Sequence, residues 1–81
     1  MENKLAIIGI FIRDAEAVER VNSILHDFGP YVVGRMGLPY RDKGVAVISL
    51  IVDAPQDVIN NITGKLGFLQ GVSAKTLLPK L

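Results

Sequence analysis

The sequence predicts an α+β fold, a two-layer sandwich of element order βαββαβ, and three observations carry that prediction. Two unbroken apolar runs, Leu5 to Ile12 and Val45 to Val52, are short and rich in isoleucine or valine, as buried strands are. Two stretches with apolar residues at helical spacing follow them, each introduced by an aspartate. Glycine and proline punctuate the chain between these segments.

The first run, Leu5 to Ile12, is closed by Arg13-Asp14 and reads as strand one. Asp14 is placed to cap a helix from Ala15 to Phe28, with Val18, Val21, Leu25 and Phe28 on one face and Glu16, Glu19 and Arg20 elsewhere. Gly29-Pro30 ends it, glycine being free to turn left-handed and proline unable to continue the helix. Tyr31 to Tyr40 carries two glycines and a proline, which confine this second strand to a sheet edge. Arg41-Asp42-Lys43-Gly44 is a tight connection into strand three, Val45 to Val52, so the two strands form a hairpin. Asp53-Ala54-Pro55 is expected to start the second helix, with Asp57 near the positive end of its dipole. Val58, Ile62, Leu66 and Leu69 give that helix its apolar face, and Gly71 to Pro79 is the last strand.

This order is the split βαβ of ferredoxin-like domains. Right-handed crossovers give an antiparallel sheet of order 4-1-3-2 with both helices on one face. Strands one and three then occupy the centre, in keeping with their unbroken apolar character. The whole chain, residues 1–81, is expected to form a single domain.

A sheet covered by helices on one side should alternate apolar with polar residues. Here both faces of the centre are apolar. Strand one sets Leu5, Ile7, Gly9 and Phe11 against Ala6, Ile8, Ile10 and Ile12, and strand three sets Val45, Val47, Ser49 and Ile51 against Ala46, Ile48, Leu50 and Val52. Such a patch exceeds what monomers usually expose. Its expected cover is another copy of the chain, in a homodimer or tetramer, and a pocket for an apolar or mixed ligand in the same interface is compatible with that cover. Composition agrees, because 49% of the residues are apolar and the chain has no cysteine, so neither disulfides nor thiolate metal sites can support its small core.

Other chemistries find little support. A formal net charge of +1 is no electrostatic footprint for nucleic acid or an anionic membrane. Neither apolar run approaches the length of a membrane span, and the polar start Met1-Glu2-Asn3-Lys4 is unlike a signal peptide, so a cytoplasmic location is expected. RNA-recognition motifs share the element order, but Val45, Val47 and Leu50 stand where their aromatic platforms would be. Gly34-Arg35-Met36-Gly37 and Gly64-Lys65-Leu66-Gly67 lack the setting and spacing of phosphate loops. His26, the single histidine, sits where a positive imidazole suits a helix C-terminus, and ligates a metal only if symmetry supplies a second copy. No catalytic residue and no metal site is assigned, and no cofactor is named.

Charge does gather at one end of the sheet. Arg13, Arg41 and Lys43 are expected near the helix start capped by Asp14, as an anion-favouring rim or as solvated turn charges. Arg35 is the only charge between Phe28 and Tyr40 and is expected in an interface, and Met36 beside it is a further candidate. Arg13, Asp14, Arg35, Met36, Arg41 and Lys43 are therefore the candidate ligand-binding residues.

Two stretches together resemble a known family. His26-Asp27-Phe28 followed by Gly34-Arg35-Met36-Gly37-Leu38-Pro39-Tyr40-Arg41, and later Thr63-Gly64-Lys65-Leu66-Gly67 with Gly71-Val72 and Lys75, resemble iron-only hydrogenase system regulators over essentially the whole chain. The resemblance implies a ferredoxin-like regulatory domain similar to ACT domains and to the C-terminal sensing domain of nickel-responsive repressors. Against those relatives the chain lacks the several histidines and the cysteine of a nickel site, a ribbon-helix-helix segment before Leu5, and a glycine in the turn Arg13-Asp14-Ala15. The expectation is a non-catalytic regulatory or ligand-sensing oligomer with a small-molecule effector or protein partner, without direct nucleic-acid or membrane binding. The alternative is a scaffold subunit that binds a protein partner and no small ligand.

Overall fold

The computed structural model describes residues 2–80; Met1 and Leu81, which the expected domain includes, lie outside the described residues. The chain runs β1 (Asn3–Ile12), α1 (Val18–Asp27), β2 (Val32–Tyr40), β3 (Val45–Pro55), α2 (Gln56–Gly67) and β4 (Val72–Leu77). Its one four-stranded sheet has the order β2-β3-β1-β4, with every pairing antiparallel. That is the expected ferredoxin-like α+β topology, numbered from the opposite edge.

One face of the sheet forms the core. Ala6, Ile8, Ile10 and Ile12 of β1 and Ile48, Leu50, Val52 and Ala54 of β3 are buried there. Val21 and Leu25 of α1 and Ile59, Ile62 and Leu66 of α2 belong to the same cluster, so both helices cover the same face. Each fully buried aliphatic side chain contributes about 1.5–3 kcal/mol of transfer free energy. No polar residue is buried among the described residues. Thr63, half-buried on α2, donates its hydroxyl to the Ile59 carbonyl at 3.0 Å, so the hydrogen bond between Thr63 and Thr76 of β4 takes its proton from Thr76.

The structure corrects several element bounds. Asp53-Ala54-Pro55 does not begin a helix; it continues β3, because β1 starts at Asn3 and pairs Asn3 with Pro55, Lys4 with Ala54 and Leu5 with Asp53. Ala54 is thereby wholly buried, a return no solvent-exposed helix turn would give. Pro55 is extended, with φ −60° and ψ 154°, and α2 starts after it. The first helix opens with a 3-10 turn, Ala15–Ala17, where Asp14 Oδ1 accepts from the Glu16 backbone N–H at 3.0 Å. Gly29 is not left-handed; Gly29–Tyr31 form a right-handed 3-10 turn that the fixed φ of Pro30 suits, and β2 begins at Val32. The second helix stops at Gly67 rather than Leu69, and Ile59, missed in the sequence, is buried on its inner face.

Gly71 makes the last turn at φ 78°. A Cβ there would lie 2.6 Å from Asp14 Cβ. Glycine is needed for both reasons, since the turn brings the Gly71 carbonyl to the Arg13 N–H at 2.7 Å and locks the end of β1 beside β4.

Candidate functional site

Among the described residues, nothing covers the side of the sheet away from the helices. Rows of paired residues cross it: Leu38, Val47, Phe11 and Ser73; then Met36, Ser49, Gly9 and Lys75; then Gly34, Ile51, Ile7 and Leu77. Eight large apolar residues of this face are exposed: Leu5, Ile7, Phe11, Met36, Leu38, Tyr40, Ile51 and Leu77. The doubly apolar pattern of β1 and β3 thus gives one buried and one open face, as expected. At the centre Gly9 pairs with Ser49, so the middle row carries no large side chain on β1 or β3, and a Cβ on Gly9 would meet open space.

A β-bulge decides what β2 adds to this face. Val32 pairs with Val52 and Gly34 with Ile51, so Val33 is an extra residue that inverts the alternation of the strand after it. Met36, Leu38 and Tyr40 consequently join the open face, and Arg35, paired with buried Leu50, turns to the helix side. Nothing in the sequence marks the bulge, because an extra valine in an edge strand looks like any other.

The six candidate ligand-binding residues do not form one site. Arg13 and Arg41 line a groove of about 240 Å³ at the end of the sheet, over Ile12, Val18 and Ala46. The Arg13 guanidinium points away from it, donating through Nη1 to Ser73 Oγ at 3.3 Å near the β4 edge. Lys43 shares the 3-10 turn Arg41–Lys43 but does not line the groove. Asp14 borders a separate hollow with Glu16, Arg20 and Gln70. Met36 is on the open face, and Arg35 is across the sheet from it, donating through Nη2 to Asn22 Oδ1 of α1 at 3.1 Å. His26 lines the same groove as Arg35, a convergence the sequence does not announce because the two residues belong to different elements. Among the described residues no group of three or more His, Cys, Asp or Glu is placed to hold a metal ion. No helix there is long and apolar enough to cross a membrane.

Comparison with known proteins gives this geometry a family. No curated protein matches the chain. Among solved structures, the uncharacterized protein TM1266 from Thermotoga maritima is 34% identical, with a TM-score of 0.92 over 98% of this chain and 100% of that one. A formyltetrahydrofolate deformylase from Pseudomonas putida KT2440 is 15% identical, with a TM-score of 0.65 over 93% of this chain and 29% of that one, a likeness of fold alone. A family model, TM1266-like, described as "Iron-only hydrogenase system regulator, putative", matches residues 4–76. With nearly its whole length matched, the chain belongs to the TM1266-like family of iron-only hydrogenase system regulators.

Proposed function

We propose that residues 1–81 act as one non-catalytic regulatory domain of the iron-only hydrogenase system, an oligomer that senses a small ligand in the cytoplasm. The open apolar face carries this reading. The chain exposes 5660 Å², where a folded monomer of its mass, 8.8 kDa, exposes about 4,800 Å². The surplus of about 900 Å² is close to what one partner contributes to a standard interface. A second copy laid on the open face would cover its eight exposed apolar residues.

Light scattering tests the assembly, and a thermal-shift screen over amino acids, nucleotides, organic acids and divalent metals tests the sensing. A ligand bound only by the folded form raises the melting temperature, by mass action. A single-chain mass at micromolar concentration would remove the oligomer, and a flat screen would remove the sensor. The scaffold reading uses the same face, with a different protein in place of the second copy. A stable heteromeric complex that replaces the homo-oligomer in a pull-down would favour it.

A further inference from the structure

The groove between α1 and β2 unites two residues that no local pattern connects. His26 and Arg35 line it together with Asn22, over an apolar floor of Leu25, Val32 and Leu50, and its volume is about 400 Å³. That falls within the range of about 300–1,000 Å³ typical of small-molecule sites. Leu50 is completely buried beneath it and Leu25 nearly so.

The polar lining is suited to one kind of ligand. Arg35 is the only permanently charged residue in it, and none of the chain's eight Asp and Glu residues lines the groove. The Asn22 amide oxygen takes one guanidinium N–H at the exposed rim of the groove, which leaves the other four of the five donors for a ligand. A planar guanidinium suits the bidentate geometry of a carboxylate. The same fork can grip a phosphate, but the apolar surface beside Arg35 favours an anion that carries an organic body. The half-buried side chain of Val32 then offers an apolar rest for the body of the ligand.

We propose that this groove binds a small organic carboxylate, its carboxyl group held by Arg35 and its apolar part lying on Val32. The proposal rests on the sensory reading above and names the ligand class that this sensor takes. Arg35 thereby receives a role, and the bulge at Val33, which turns Arg35 toward α1, becomes part of the site's construction.

The test is an amide NMR titration of the full chain with sodium benzoate, with neutral benzamide and with inorganic phosphate. Benzoate is expected to bind with a Kd of about 1 mM, the strength open to a ligand of its size. It should move the signals of Asn22, His26, Val32 and Arg35. Benzamide should move none of them, and phosphate, which has no apolar body to lay on Val32, should bind at least about tenfold more weakly. Arg35→Gln should weaken benzoate binding by about tenfold or more and Arg35→Lys, which keeps charge but loses the fork, by less. Absence of benzoate binding up to about 20 mM, equal binding of benzamide or phosphate, shifts confined to the Arg13 and Arg41 groove, or unchanged affinity in a folded Arg35→Gln chain would each overturn the proposal. Light scattering on the same samples separates the two readings. An oligomer that ignores benzoate removes this site alone, and a single-chain mass that binds benzoate through Arg35 removes the oligomer alone.

Discussion

Replacing Phe11 with lysine should dissociate the oligomer without unfolding the chain. Phe11 stands on the open face between Val47 of β3 and Ser73 of β4, and it is 48% exposed. For an aromatic side chain of about 200 Å², that leaves about 100 Å² in water. At about 25 cal/mol per Å², covering this area is worth about 2.5 kcal/mol per chain. A two-fold interface repeats every substitution, so the dimer loses about 5 kcal/mol, between three and four decades in Kd. The folded chain itself loses little, because the lysine stem can lie along the sheet with its ammonium group in solvent. Sedimentation or light scattering between about 1 and 100 µM should find the wild-type chain as an oligomer and Phe11→Lys at the single-chain mass of 8.8 kDa. Phe68→Lys is the control, since Phe68 is 89% exposed but follows α2 on the helix layer. Wild-type mass in Phe11→Lys throughout that range would refute the assignment of the open face as the interface.

Three further outcomes follow from the backbone and the core. Gly71→Ala should destabilise the chain by more than Gly44→Ala in urea unfolding: both glycines have positive φ, but only a Cβ at position 71 collides, with Asp14. The Gly44 change should cost about 1 kcal/mol and the Gly71 change clearly more; equal losses would contradict the close approach. Leu66→Ala removes a fully buried side chain from beneath α2 and should cost about 2–5 kcal/mol by the same measurement. Gly64→Ala should stabilise the chain by about 0.5–1 kcal/mol, because the position is helical and a Cβ there meets nothing within 4 Å; a loss of stability would mean that the outer surface of α2 is not free.

Local pattern made the elements legible where a single face had to be buried. The alternation of Ala6, Ile8, Ile10 and Ile12 against Leu5, Ile7 and Phe11 predicted both faces of β1, and burial follows it residue by residue. The helical spacing of Val18, Val21 and Leu25 likewise placed the inner face of α1. Asp53-Ala54-Pro55 was misread because an aspartate before Ala-Pro is a sound local helix start, and only the pairing of Ala54 with Lys4 outweighs it. The adjacent candidates Arg35 and Met36 part for a related reason. Neighbours in a strand lie on opposite faces, so the two were always going to separate.

The sequence by itself determined the fold class, the central place of β1 and β3, and the existence of a second apolar face, because these depend on periodicity and on the burial that periodicity permits. The tertiary structure alone decided which side chains meet. One extra residue at Val33 sets the face of everything after it in β2. It sends Met36, Leu38 and Tyr40 to the open face and brings Arg35 to Asn22 and the groove that His26 lines. Register is a property of two paired strands rather than of either one, so that convergence has no signature in the sequence of β2.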